Sequence, residues 1–309
     1  MNKNRLKEST KNNINGFLFA LPWIVGFLVF SLYPLITSLY YSFTSFSPVV
    51  APKWVGMENY TYIFNDPLFY KSLSNTLFFA FVATPINLII ALGLAILINQ
   101  KFIGRGIART IFFMPSVIPM VASTMIWIWM FDPTYGFINN GLKFFGINGP
   151  AWLINPGTTK WALVMMGAWC TGTTMLICLA ALQDVPRSYY ESADIDGANA
   201  MVKFFRITLP CIAHVVVYQA ILNLINAFQY FTQVYVITTA SDGVTSGASG
   251  GPENSILMYP LYLFHNAFIY MKMGRASAMA WVLFAIVGVL TIIMMKITKK
   301  TVEGGAGGE

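Results

Sequence analysis

"SLSNTLFFAFVATPINLIIALGLAILINQ", Ser72–Gln100, carries no charged side chain between Lys71 and Lys101. A helix needs about 20 apolar residues to cross the roughly 30 Å hydrocarbon core of a bilayer, and this stretch exceeds that length. A backbone in lipid must satisfy its own polar groups, which leaves a helix or a closed barrel. The strict alternation and ten-residue rhythm of barrel strands are absent, so a helix is expected. Five further intervals are equally free of Asp, Glu, Lys and Arg: Asn12–Pro52, Thr110–Phe131, Trp161–Gln183, Ile207–Ser241 and Ala276–Met295. The expected fold class is therefore all-α, a polytopic membrane protein with six transmembrane helices.

Composition agrees. Of 309 residues 56% are hydrophobic and 10% charged, against roughly 25% charged in a soluble domain. The apolar run Phe17–Phe43 is too long for a secretory signal core and lacks a small-x-small cleavage site, so it reads as a retained first helix, interrupted by Pro22 and Pro34. Basic residues orient the spans, because they are enriched in cytoplasmic connections. With the N-terminus inside, 13 Lys and Arg fall on the inner side and 6 on the outer. Both termini are then cytoplasmic, and the net charge of +7 is accounted for by anionic lipid without nucleic acid.

Expected boundaries are a cytoplasmic head at 1–12, a six-helix membrane domain at 13–298 and a flexible cytoplasmic tail at 299–309. The outer connections "SPVVAPKWVGMENYTYIFNDP", "DPTYGFINNGLKFFGINGPAWLINPGTT" and "SDGVTSGASGGPENS" are rich in Gly, Pro, Asn and Asp, which marks irregular structure. None is long enough for a core of its own. No catalytic set stands out. The chain lacks a G-x-x-x-x-G-K-[ST] phosphate loop, and His214 and His265 are far apart in sequence. Cys170, Cys178 and Cys211 lack metal-ligand spacing and read as small packing residues. The mid-span Asp, Glu, Lys or Arg usual in proton-coupled carriers is also missing.

One charged element stands between two spans: "ESADIDGANAMVKFFRITLP", Glu191–Pro210. Ser188 followed three residues later by Glu191 suggests a capping box, opening a helix from about Tyr189 to Asp196. Gly197 suits the left-handed residue after a helix end. A second helix is expected from Ala198, with Pro210 disfavouring helical geometry at Leu209. Local chemistry alone leaves a solvated loop and an amphipathic docking element equally open.

In the fifth span Asn223, Asn226, Tyr230 and Gln233 fall at i, i+3, i+7 and i+10, with Phe228 and Gln229 flanking them. In the fourth, Trp169 and Thr173 are four apart. Each set is placed on one helix face. Neutral amides, hydroxyls and flat rings suit a sugar, but amides also join helices inside membranes; both readings stand.

The spacing of Glu191, Ala193, Gly197 and Ile207-x-Leu209-Pro210 resembles the "EAA" loop of permease subunits of binding-protein-dependent ABC importers, with Ser192 at the family's usual second alanine. "WVGMENYTYIFNDPLFYKSLSNTLFF", "GRGIARTIFFMPSVIP" and "GGPENS" resemble the sugar-permease branch, the maltose, lactose and multiple-sugar permeases, over nearly the whole chain. The resemblance implies a type I importer permease fold in a prokaryotic cell membrane, with the hairpin at about 186–210 acting as a coupling helix. Glu191, Ser192, Ala193, Asp194, Asp196 and Gly197 would contact the ATPase, Asp194 and Asp196 pairing with its basic groups. Partners would be a second permease, two ATPase copies that bind ATP and Mg, and an extracytoplasmic binding protein. The chain itself would bind no cofactor or metal and would catalyse nothing. A non-sugar importer permease and a stand-alone secondary carrier are the alternatives.

Overall fold

The structure is a computed structural model that describes residues 3–242 and 250–306, with side chains described for 15–240 and 250–296. The last residues of the tail and part of the "SDGVTSGASGG" connection lie outside the described residues, as do the side chains of Lys3, Arg5, Lys7, Lys11, Lys299 and Lys300. In order the helices are α1 (Lys3–Phe27), α2 (Tyr33–Ser42), α3 (Glu58–Asn65), α4 (Pro67–Phe78), α5 (Thr84–Asn99), α6 (Arg105–Phe113), α7 (Met120–Met130) and α8 (Phe137–Phe144). There follow α9 (Pro156–Trp169), α10 (Gly172–Asp184), α11 (Arg187–Ile195), α12 (Ala200–Lys203), α13 (Leu209–Phe228), α14 (Thr232–Asp242), α15 (Tyr259–Phe264) and α16 (Met273–Ala306). Among the described residues extended pairing is limited to two isolated bridges, Thr44 with Trp54 and Ser47 with Val50.

Four helical stretches are long and apolar enough to cross a bilayer: Asn15–Ser42, Pro67–Asn99, Ala200–Ala240 and Met273–Lys296. Two bent pairs, Arg105–Val117 with Met120–Met130 and Pro156–Trp169 with Gly172–Asp184, bring the number to six if each is one crossing. The expected boundary at 298/299 falls inside α16, and the expected head lies largely within α1.

Proline behaves differently from expectation. Pro22 lies inside α1, and Pro34 does not interrupt the first span. Pro34, Pro85 and Pro210 each follow a π-helical turn, at Leu28–Leu32, Phe79–Ala83 and Phe204–Thr208. In each case the residue before the proline donates its N–H five residues back: Tyr33 to Leu28 O, Thr84 to Phe79 O, Leu209 to Phe204 O. A proline ring clashes with the carbonyl four residues upstream. The wider π turn relieves that clash, so the helix continues, and Leu209 is helical (φ −63, ψ −43) rather than extended. At Pro119, which no π turn precedes, the chain breaks. Ile118, before Pro119, is extended (φ −69, ψ 131), as pre-proline sterics favour, and the two halves of the third interval meet at 101°.

The chain divides into two compact units, Met1–Asn65 with Asn266–Val282, and Asp66–His265 with Leu283–Glu309. In the first, Asn59 donates to Ser42 O and Thr44 O (both 2.8 Å), Trp281 donates to Ser38 Oγ (3.2 Å), and the Arg275 guanidinium lies 3.2 Å from the centre of the Tyr62 ring.

The second unit holds the main core. Ala91, Ala95 and Ile98 of α5 pack against Met175, Cys178, Leu179 and Leu182 of α10, with Ile212 of α13. Alanines one turn apart let helix backbones approach closely, the usual device where water supplies no driving force. Cys178 is fully buried here, which is its expected packing role, while Cys170 and Cys211 are half-buried and unbridged. A polar seam fixes "GGPENS": Asn75 Nδ2 donates to Asn254 O (2.9 Å) and Leu257 O (3.0 Å), and Thr76 Oγ1 accepts from Tyr259 N (2.8 Å).

Asn75 is fully buried. Replacing it by alanine leaves the buried Leu257 carbonyl and the half-buried Asn254 carbonyl without this donor, at about 1–3 kcal/mol for a buried group. Asn75→Ala is therefore expected to lower the thermal midpoint of the detergent-purified protein by several degrees. Asn65→Ala, which removes an exposed bond to Thr61 O, should leave the midpoint unchanged in the same tryptophan-fluorescence melt.

Candidate functional site

The charged hairpin is ordered by its own sequence. α11 starts at Arg187 with Pro186 as N-cap, and that cap makes no side-chain hydrogen bond. The expected capping box at Ser188 is thus not formed: Val185 and Pro186 are extended, so Ser188 already lies within the helix. The far end matches expectation. Gly197 has φ +72, its N–H donates to Asp194 O (3.1 Å), and Ala198 N–H donates to Ala193 O (2.9 Å). These are the two bonds of a Schellman end. The next helix begins at Ala200 rather than Ala198, because Asn199 takes the N-cap and accepts from Val202 N (2.9 Å).

The hairpin is braced on one side only. Tyr190 OH and Thr208 Oγ1 are 2.9 Å apart, Ala193 is buried, and Asp194 forms an ion pair with Lys203. Asp194 is thereby paired within its own chain while staying exposed, since nine residues on, past the turn, Lys203 comes back beside it. Glu191, Ser192, Asp196 and Gly197 are exposed. Ile195, 88% exposed, joins that face. It was not anticipated, although an isoleucine between two aspartates is the signal that could have shown it.

Within the second unit a cavity of about 210 Å³ lies among α5, α9, α10 and α13, with the turn before α5 and the segment after α13. Asn223, Asn226 and Tyr230 line it as expected. With them stand Thr84, Asn87, Thr171 and Thr174, which the sequence reading missed. Asn87 comes close because residue 167 is glycine: a Cβ there would lie 2.6 Å from Asn87 Nδ2. Asn87 Oδ1 and Tyr230 OH are buried without a hydrogen-bond partner. The Tyr230 ring packs on Phe79 at 4.1 Å between centres. No charged side chain lines the cavity.

The remaining expected residues lie elsewhere. α13 ends at Phe228 and the helix restarts at Thr232, so Gln233 does not continue the Asn223 face. Its Nε2 lies 2.8 Å from the Sδ of Met120, which lines the cavity, so Gln233 stands behind that wall. Phe228 is fully buried and Gln229 is an exposed C-cap. Trp169 and Thr173 do not share a face, because the helix bends by 49° between them. Trp169 stacks edge-on against Trp127, and Thr173 is exposed. Thr171 and Thr174 take the cavity positions.

Residues 87–303 match the family described as the binding-protein-dependent transport system inner membrane component. The chain belongs to this family. The permease is 40% identical over 289 residues to the "Probable ABC transporter permease protein YesP" of Bacillus subtilis, covering 93% of this chain and 91% of that one. It is 34% identical over 286 residues to the lactose transport system permease protein LacF of Rhizobium radiobacter, covering 91% and 93%. A bacterial alginate ABC transporter, solved with a periplasmic protein bound to an alginate pentasaccharide, contains a chain that superposes with a TM-score of 0.82 at 20% identity, over 96% of this chain and 98% of that one. The permease therefore has the type I ABC importer permease fold. It is a membrane-spanning transport subunit of a family whose members are not themselves catalysts.

Proposed function

We propose that the permease forms half of the path by which an ATP-driven importer moves a sugar or oligosaccharide handed over by an extracytoplasmic binding protein. The observation that carries this reading is the uncharged cavity, where Asn87 Oδ1 and Tyr230 OH lack partners beside Asn223 and Asn226. A sugar hydroxyl both donates and accepts, so it can meet these atoms, and its C–H face suits the Tyr230 ring. At about 210 Å³ the cavity is smaller than the ~300–1,000 Å³ of most ligand sites, as expected of one wall of a path completed by a second, homologous permease. The relatives named for lactose and alginate transport agree with a saccharide cargo.

One of two copies of an ABC ATPase, which hold the ATP and Mg, docks on the hairpin. Glu191, Ser192, Ile195 and Asp196 supply contacts, and Gly197 permits close approach. The basic-residue asymmetry sets the hairpin and both termini in the cytoplasm, with lipid around the spans and no nucleic-acid partner. The chain itself holds no cofactor. Reconstituted with a second permease, the ATPase and a binding protein, it should import neutral oligosaccharide only when ATP is present. Uptake by this chain alone would make it a secondary carrier, and preference for uronic-acid oligomers over neutral ones would count against reading the uncharged cavity as a site for a neutral sugar.

A further inference from the structure

A second cavity, of about 860 Å³, opens beside the hairpin between the α5–α6 connection and the α10–α11 connection. Lys101, Arg105, Arg109 and Arg187 line it together with Asn99 and Gln183, and no carboxylate does. The described residues hold one salt bridge, Lys203 with Asp194, so none of these four cations has an acidic partner there. Two helices of nine residues begin at its edge, α6 after Gly104 and α11 after Pro186; neither has a side-chain cap or an acid in its first turn. Free N–H groups at helix starts attract anions. Four unpaired cations and two uncapped helix starts converge on one volume, and like charges so placed repel each other until an anion enters.

The surroundings indicate which anion. Ile107 and Ile111, one turn apart on α6, are largely exposed, as are Phe102 and Ile103 just before it. Arg105 and Arg109 occupy another side of the same short helix. The segment containing α6 meets α7 at 101°, so the two cannot both run along the bilayer normal, and α6 is the one that carries arginines. A helix with isoleucines on one side and arginines on the other suits the acyl–headgroup boundary. A soluble phosphate would have no use for the isoleucines.

We infer that this cavity binds the phosphate headgroup of an anionic phospholipid, with Arg105, Arg109 and Arg187 as its ligands and the isoleucines against the acyl chains. The site is separate from the cargo cavity and borders the docking face, since Arg187 lies one turn before Glu191 on α11. It rests on the proposed orientation only for which leaflet supplies the lipid.

The test uses the full-length permease purified in phosphatidylcholine micelles titrated with phosphatidylglycerol, bound lipid being counted by native mass spectrometry. At about 1 kcal/mol per basic residue facing an anionic surface, the triple variant Arg105→Gln, Arg109→Gln, Arg187→Gln should need roughly a hundredfold more phosphatidylglycerol for half-saturation. The corresponding Lys variant should bind within about threefold of the parent, since charge near a headgroup dominates. Should the Gln variant fail to fold, the parent still decides: raising salt should strip phosphatidylglycerol and leave phosphatidylcholine in place. Equal retention of the two lipids, or salt-insensitive retention, would overturn the proposal. So would displacement of the lipid by millimolar inorganic phosphate, or a Gln variant that keeps its lipid but loses the ATPase. Binding in micelles is independent of orientation and transport, so failure here leaves the importer reading untouched.

Discussion

Replacing Gly197 by leucine should leave the permease in the membrane and strip it of its ATPase. The glycine has φ +72 and nothing in its own chain within 4 Å of where a Cβ would stand. Inside this chain the change therefore costs only the left-handed strain of an L residue, about 1–2 kcal/mol, confined to a surface turn. On the docking face the effect is larger. A branched side chain projects from a turn that another protein must meet closely, and losing a central interface contact costs about 2–4 kcal/mol, which is roughly 30- to 1,000-fold in affinity. Glu191→Ala separates docking from strain, because Glu191 is exposed and its loss leaves the Schellman end intact. Both variants should lose ATPase on co-purification, and Asp194→Asn should chiefly loosen the hairpin by freeing Lys203. Full ATPase recovery with Gly197→Leu and Glu191→Ala would remove the coupling role.

The second large effect is expected at the cargo cavity. Asn223→Leu with Asn226→Leu replaces two amides on one wall by hydrocarbon, and each neutral hydrogen bond to a ligand contributes about 0.5–1.5 kcal/mol. ATP-dependent uptake should fall by roughly tenfold or more while ATPase and second permease still co-purify. Gln233→Leu should do less, since that side chain does not line the cavity but stands behind Met120 of its wall. Normal uptake by the double variant would assign Asn223 and Asn226 to helix packing, and an equal loss with Gln233→Leu would put the cavity wall further along the chain.

Much of this was legible in the sequence for definite reasons. The charge-free intervals located all six candidate crossings, because the cost of a charge in hydrocarbon leaves its mark on composition. Gly197 was legible because a helix end with positive φ selects for glycine. Pro210 was misread because a proline rule applied to the chain alone cannot include the π turn at Phe204–Thr208, which depends on a hydrogen-bond shift five residues long. Trp169, Thr173 and Gln233 were misplaced for a related reason: helical spacing carries across a break only if the break is visible, and neither Cys170–Thr171 nor Gln229–Phe231 holds a proline. Asn87 was invisible because it reaches the cavity through the gap left by Gly167 on another helix, a relation no local pattern contains. The pairing of Asp194 with Lys203 was not legible, because only the turn at Gly197 brings the two together.

The most direct test of the central claim is affinity purification of the full chain from its native membrane, with and without the Glu191→Ala and Gly197→Leu changes, followed by identification of what accompanies it. The account predicts a second homologous permease with either chain and an ABC ATPase only with the unaltered one. A permease that purifies without an ATPase and still moves sugar into liposomes would contradict it.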